Sequence, residues 1–258
     1  MDEPLVPSRM IRPGSILGHR IFLNKETAST NDDAHNLARN GAPAGTVVIT
    51  ELQTKGRGRL KRSWHSPGGK DLLFSVILDP AAARQGPGLF TLAAGVAVAR
   101  GVSDYGIQAA LKWPNDVRVR GRKLSGILCE AGGRTGMDYL VAGIGINVNL
   151  TKEEIPPELA DTATSMYIET GREPDRAYVL KNVLACLERE VELIESGRQD
   201  RVLDAWMELF ESSGKMVKAH TPSGDIEGRA SGVRADGALL VMTDSGEQAV
   251  MAGDVVPS

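Results

Sequence analysis

The chain has 258 residues and a formal net charge of −3, from 30 Lys and Arg against 33 Asp and Glu. That length allows one or two domains of about 150 residues each, with room for a buried core. The slightly acidic total argues against a general nucleic-acid coat protein, and an aromatic content of only 4% counts against an RNA-stacking surface.

Residues 1–18 contain Pro and Gly without a clear period and read as a ragged start. They hold no continuous apolar h-region, so no secretory signal is expected. His19 to Leu23 predicts a short strand. Thr27 to Asp32 then leads into AHNLARNG, where a Ser or Thr can cap a helix and Gly41 suits its end. TVVITELQ at 46–53 is a β-branched strand that runs into a basic loop, and DLLFSVILD at 71–79 is another strand.

Residues 88–105 predict a helix rich in Ala, Gly and Val. Its apolar segment at 89–99 is too short to cross a bilayer. Residues 108–113 and 117–120 read as a hairpin-type pair around Pro114, Asn115 and Asp116. Apolar strands follow at 125–131 and 138–149, with turns at Gly121-Arg122 and Gly132-Gly133-Arg134. Residues 151–165 form a polar loop with room for a short helical turn. In 175–196, apolar residues at 179, 180, 183, 184, 187, 191 and 194 give a helical period and the longest helix. After Ser212-Ser213-Gly214 the pattern changes to short strands separated by PSGD, RADG and DSGE. That composition predicts a small barrel or sandwich over 213–258, behind a main domain over 1–212. The two cysteines, Cys129 and Cys186, make no disulfide framework, and a reducing cytoplasm is the expected compartment. His19, His35, His65 and His220 show no metal spacing with them and read as structural or surface residues.

Four stretches carry chemistry. KGRGRLKRSW, from Lys55 to Trp64, joins glycines that permit close backbone approach to arginines whose planar forks suit carboxylate and phosphate. It is not a Walker loop, and by charge alone it is equally a solvated basic turn or a nucleic-acid patch. Lys112-Trp113-Pro114-Asn115-Asp116 places an amide and a carboxylate where Mg²⁺ beside a phosphate could use them; the same residues also make an ordinary turn. Lys123 stands at the mouth of an apolar strand, either as a plain strand-end lysine or as a cation for charge growing on a reacting carboxylate and phosphate. GIGINVN, 143–149, places glycines inside a strand, which fits a bulge, a tight packing contact or a flat ligand lying on it.

Together, STN, GRGRxxRxW, KWPND, KLxGIL and GIGINVN, in this order between Ser29 and Asn149, closely resemble the biotin–protein ligase family. The resemblance implies an α+β fold: a mixed β-sheet flanked by helices, like that of class II synthetases, followed by a small SH3-like C-terminal barrel. It implies activation of biotin with ATP and Mg²⁺ to biotinyl-5′-AMP, then transfer to a lysine of a biotin carboxyl carrier domain. It implies that Ser29, Thr30, Asn31 and Gln53 meet the biotin head, with Gly56 and Arg57 closing on it. Arg57, Arg59 and Arg62 would order over the adenylate, Trp64 would pack on adenine, and Asn115 and Asn147 would serve the nucleotide. Lys123 would contact both the carboxylate and the α-phosphate, with Arg59 and Asp116 beside it in the catalytic group. Asp116 would carry Mg²⁺ or take a proton from the acceptor lysine, and Gly126, Gly143 and Gly145 would let the ligand lie against the backbone. The basic loop then reads as a mobile lid over a nucleotide and a mixed anhydride.

This chain has Lys61 where many members carry Gly. Only about 18 residues precede the first strand, against the roughly 60 of a winged helix-turn-helix, so no DNA binding is expected. The expected assembly is a homodimer without membrane contact. The rival readings are a lipoate or octanoyl transferase, which would lack KWPND together with GRGR; a non-enzymatic biotin sensor; and a basic RNA-binding module.

Overall fold

The computed structural model describes residues 16–79, 86–133 and 138–258. The expected ragged start lies outside the described residues up to residue 15, as does Arg134 of its predicted turn. Seven strands make the main sheet: β1 (Arg20–Asn24), β2 (Thr46–Thr50), β3 (Leu72–Leu78), β4 (Ala110–Lys112), β5 (Asp116–Val119), β6 (Arg122–Gly132) and β7 (Tyr139–Ile146). Their order is β1-β2-β3-β7-β6-β5-β4. Only β1 and β2 run parallel, so the sheet is mixed, as expected.

Alternation along the strands builds two different faces. Leu72, Phe74, Val76 and Leu78 of β3, with Leu140, Ala142, Ile144 and Ile146 of β7, point into the main core. Helices α2 (Pro87–Gly101) and α4 (Arg176–Glu195) contribute to that same core. All seven apolar positions read from the helical period of 175–196 are buried there. Asp175 caps α4, its Oδ1 accepting from Ala177 N at 2.8 Å. Gly101 lets α2 approach α4 closely, since a Cβ there would lie 2.7 Å from Val183 Cγ2.

The opposite face carries helix α1 (Thr30–Arg39) over a small cluster of Ala34, Val48, Ile77, Tyr139 and Val141. Beyond that cluster the strands present Ser75, Gly126, Gly143 and Gly145, none of which can fill a core. That part of the sheet is left as the floor of a cleft.

The polar stretch 151–165 folds into two 3-10 turns, Lys152–Glu154 and Pro157–Leu159, the first closed by a capping box of Thr151 and Glu154. Two further helices, α3 (Met166–Thr170) and α5 (Gln199–Leu209), have no counterpart in the sequence reading. The buried face of α5 is short, Val202, Ala205 and Trp206, and it follows too closely on the end of α4 to stand out.

The C-terminal strands β8 (Met216–Thr221), β9 (Gly224–Val233), β10 (Leu239–Thr243), β11 (Gly246–Val250) and β12 (Asp254–Pro257) form one antiparallel sheet in the order β11-β10-β9-β8-β12. The expected small β module is present, but the barrel is not closed by a ladder between the edge strands β11 and β12. Val217, Ala219, Leu239 and Val241 join the main core cluster, so the module is packed onto the larger part. Both cysteines are free. No helix among the described residues is long and apolar enough to cross a membrane.

Candidate active site

The cleft has a volume of about 440 Å³. Its floor is the glycine-bearing face of β6 and β7. Its walls are the start of α1, the basic loop, the 112–116 corner and the 157–163 turn.

At the α1 wall the sequence predicts a hydroxyl cap, and the structure differs. Ser29 stands at the N-cap with extended backbone, but its side chain caps nothing. The carboxamide oxygen of Gln53 does this instead, accepting from Thr30 N at 2.8 Å and from the Thr30 hydroxyl at 3.2 Å. A helix amide left open at the first turn is satisfied from a neighbouring element. Beneath it, Ser75 Oγ lies 2.8 Å from Thr30 Oγ1 and 2.6 Å from Asn31 Oδ1. Asn31 Nδ2 donates to Leu128 O and Glu130 Oε2, at 3.2 and 2.7 Å. Buried polar groups need such partners, and here they fix Ser29, Thr30, Asn31 and Gln53 along one rim.

Within the basic loop the backbone closes a turn. Gly58 N donates to Arg62 O at 2.7 Å, and Trp64 N to Gly56 O at 3.0 Å. Gly56 is not on the cleft wall; it is buried, and a Cβ there would sit 3.0 Å from Trp64 O and 3.1 Å from Gln53 Nε2. Arg57 makes a bidentate pair with Asp32 at 2.8 and 2.7 Å and lies 3.7 Å from Glu130. The bond to Asp32 is the main reason its pKa is raised. Glu130 is held below the usual carboxylate range, first by His35 and then by Asn31 and Arg57. Arg59 lies over the Trp113 ring at 5.9 Å, and burial lowers its pKa despite Asp116 and Asp254 nearby. Arg62 is exposed at the rim, 3.9 Å from Asp254.

Trp64 lies on the floor. A Cβ on Gly145 would be 2.7 Å from its ring, and one on Gly126 2.9 Å. The indole Nε1 is buried without a hydrogen-bond partner. Gly143 makes room for Asn31, whose Oδ1 would be 2.1 Å from an added Cβ. Asn31, Trp64 and Lys123 are the side chains nearest these glycines.

On the far wall β4 and β5 pair with Lys112 opposite Asp116, so Asp116 belongs to a strand rather than to the turn. Asn115 Nδ2 donates to Ile127 O at 2.8 Å while Asn115 O accepts from Ile127 N, so its amide group anchors the corner to β6. Lys123 Nζ is 2.6 Å from Asp116 Oδ1 and 5.5 Å from the centre of the Trp64 ring. Asn147 lines the cleft, but its Nδ2 donates to Thr164 O at 2.9 Å. The corner is tied to the C-terminal sheet: Trp113 Nε1 donates to Gly237 O at 2.9 Å, and Lys112 Nζ pairs with Asp254 at 2.8 Å.

The cleft thus gathers every sequence-predicted residue except Gly56. Sequence reasoning named Lys112 within its stretch without giving it a role, and missed Ser75, Asp32, Glu130 and Asp254. For Ser75 a signal existed, because it is the lone hydroxyl in the otherwise apolar run LLFSVIL. For Asp254, 142 residues from Lys112, there was none.

Among the described residues no three His, Cys, Asp or Glu cluster as a metal site. Mg²⁺ commonly takes one or two carboxylates and completes its shell with phosphate and water. Asp116 fits that limited role as a metal ligand.

A mixed sheet with cations gathered over a glycine floor suits a ligase whose substrates carry carboxylate and phosphate. Residues 23–147 match the model of the Biotin/lipoate A/B protein ligase family, and residues 212–256 that of the Biotin protein ligase C terminal domain. The chain is 36% identical over 242 residues to the bifunctional ligase/repressor BirA of Bacillus subtilis, covering 93% of this chain and 74% of that one. It is 33% identical over 266 residues to the biotin–[acetyl-CoA-carboxylase] ligase of Mycobacterium tuberculosis, covering 99% and 95%. The biotin protein ligase of Aquifex aeolicus, solved with biotin and ATP, superimposes with a TM-score of 0.81 at 32% identity, covering 93% of this chain and all of that one. The chain belongs to the biotin protein ligase family.

Proposed function

We propose that the chain activates biotin with ATP to biotinyl-5′-AMP and pyrophosphate, and then transfers biotin to a lysine of a carboxylase carrier domain. One observation carries the reading furthest. Lys123 Nζ lines the cleft beside the Asp116 carboxylate and over the Trp64 ring, a position suited to a cation for a substrate carboxylate and α-phosphate.

In the first step an oxygen of the biotin carboxylate attacks the α-phosphorus and pyrophosphate leaves, giving a mixed anhydride. No protein nucleophile is required. Lys123 and Arg59 would stabilise the charge that builds on the transferring phosphate. Thr30, Asn31 and Gln53 suit the donors and acceptor of the ureido ring, and Arg57, anchored by Asp32, would close that end. Arg62 and Lys112 lie where a polyphosphate would reach the rim. Mg²⁺ would supply further charge neutralisation with Asp116 as its protein ligand.

In the second step the acceptor lysine's amine attacks the acyl carbon, AMP leaves, and the amine gives up a proton as the amide forms. Asp116 is a base within the cleft for that proton. Ordering of the basic loop would shield the anhydride from water until the amine arrives.

We also take residues 1–212 as the catalytic unit and 213–258 as a C-terminal SH3-like module, and place the protein in the cytoplasm. We infer a homodimer: β1 is a sheet edge with Phe22 and Leu23 partly exposed, an arrangement that invites a second copy. Sedimentation at micromolar concentration tests it.

The direct test supplies labelled biotin, ATP, magnesium and a carrier domain. Label on the carrier lysine supports the reading. Exchange of pyrophosphate into ATP that depends on octanoate or lipoate, and not on biotin, overturns it.

A further inference from the structure

On the ligase reading, a lysine on another folded protein must enter the cleft, so its mouth must be a contact surface. Two apolar side chains stand exposed there, one on the basic loop and one on the 157–159 turn. Leu60, at the tip of the basic loop, is 72% exposed. Leu159, ending the 157–159 turn, is 39% exposed. Both line the same cleft as Lys123 and Arg59.

Leu60 is held in the left-handed region, φ 55° and ψ 32°, which a residue with a side chain adopts at a cost. The loop enforces that shape through Gly58 N on Arg62 O and through the bridge between Arg57 and Ser63. A costly backbone that holds a large apolar group in water gains nothing within this chain. Leu159 sits on an equally fixed base: its carbonyl accepts from Thr162 N and Ala163 N, at 3.0 and 2.8 Å. The same turn is bonded to Lys123, whose N donates to Thr162 O at 2.7 Å and whose O accepts from Thr164 N at 2.9 Å. Whatever rests on Leu159 is therefore braced against the backbone of Lys123.

Charge divides the mouth in the same way. Exposed Arg62 flanks Leu60, while exposed Glu158 and Asp161 flank Leu159. The acidic bank attracts an incoming ammonium, and the basic bank suits carboxylates beside it.

We propose that Leu60 and Leu159 form a two-sided apolar collar on which the acceptor carrier domain docks, guiding its lysine between the acidic and basic banks onto the acyl carbon. The occupant is a small folded domain that presents a lysine on a turn, with apolar side chains on both sides and a carboxylate facing Arg62.

The test is the double variant Leu60→Ser and Leu159→Ser in the full chain, with Leu60→Met and Leu159→Met as the conservative control. The probes are a recombinant carrier domain of a biotin-dependent carboxylase and hydroxylamine, a small nucleophile that takes the acyl group from the adenylate, expels AMP and needs no docking surface. The serine variant should raise KM for the carrier domain about tenfold, equivalent to about 1.4 kcal/mol. Biotin-dependent ATP–pyrophosphate exchange and hydroxamate formation should change far less than the carrier KM, and the methionine pair should keep the carrier KM of the unmodified chain. An unaltered carrier KM overturns the collar. So does faster escape of the adenylate at unchanged carrier KM, which would make these leucines a seal over the ligand. Absence of biotin-dependent exchange in the unmodified chain would remove the ligase reading itself, and the collar with it.

Discussion

Lys123 Nζ and Asp116 Oδ1 stand 2.6 Å apart on neighbouring strands, β6 and β5, although in the ladder Asp116 pairs with Gly126 and Lys123 with Arg118. The ammonium is thus already matched to one carboxylate before substrate carboxylate and phosphate arrive. It is positioned at no further cost when charge develops, which is how a preorganised cation accelerates a reaction.

Lys123→Ala should therefore act on chemistry more than on capture. Biotin-dependent pyrophosphate exchange should fall by about two to three orders of magnitude, the range typical for loss of one such charge-stabilising donor. Biotin affinity, which the proposed reading assigns largely to the Thr30, Asn31 and Gln53 rim, should change much less. Calorimetry beside exchange kinetics separates the two; lost affinity with intact exchange would reverse the assignment.

The floor glycines give a steric prediction. An alanine at Gly143 would drive its Cβ to 2.1 Å from Asn31 Oδ1, inside the network that also holds Ser75 and Glu130. At Gly145 the clash is with the Trp64 ring at 2.7 Å, on a loop with fewer buried constraints. Gly143→Ala should cost about 1–3 kcal/mol of stability by overpacking and should weaken biotin binding. Gly145→Ala should cost less stability while shifting Trp64. Thermal melts of the two variants check the ranking, and a more stable Gly143→Ala than Gly145→Ala would contradict it.

Much of this site was legible in the sequence because its residues cluster locally. Lys55 to Trp64, Lys112 to Asp116 and the glycines of β7 each announce themselves by composition. The helix over 175–196 was legible through its period, and the sheet through its apolar strands. What was not legible depends on pairing at a distance. Nothing local says that Gln53 rather than Ser29 serves the first amide of α1, because that requires knowing that the end of β2 passes beside it. Nor does anything local bring Asp254 to Lys112. The open edge of the C-terminal sheet was likewise hidden, since turn signals fix hairpins but not closure.

The contact of that sheet with the 112–116 corner carries the third prediction. Asp254 holds Lys112 at 2.8 Å and reaches Arg62 at 3.9 Å. The Lys112 and Asp254 side chains are 19% and 39% exposed, so the pair is only partly screened by solvent. Asp254→Ala should loosen two cations at the nucleotide end and raise KM for ATP by about threefold to tenfold, with biotin affinity preserved. Deleting 213–258 is a harsher test, because it also strips Val217, Leu239 and Val241 from the core. A point variant with unchanged KM for ATP would dissociate the C-terminal sheet from nucleotide use.

Asp71 supplies the pH dependence. It is 1% exposed, and burial pushes its pKa from 3.8 up to about 7, against bonds from Ser66 and Val148 N and the nearby Arg176 charge. Its Oδ2 accepts from Ser66 Oγ at 2.8 Å and its Oδ1 from Val148 N at 2.9 Å, so it ties the trailing end of the basic loop to the end of β7. Around it stand Arg176 and Glu51 at 2.6 Å from each other, with Lys70 and Glu154 beyond. A carboxyl whose folded pKa exceeds its unfolded one favours folding fully below the unfolded value and loses that contribution as pH rises through the folded one. The shift is worth up to a few kcal/mol, lost between about pH 4 and 7. Asp71→Asn imitates the neutral form, so its melting temperature relative to the unmodified chain should climb over that interval and level off above it. A difference that stays flat from pH 4 to 8 would mean that the carboxyl is ionised throughout, sustained by Arg176 and its two hydrogen bonds in spite of its burial.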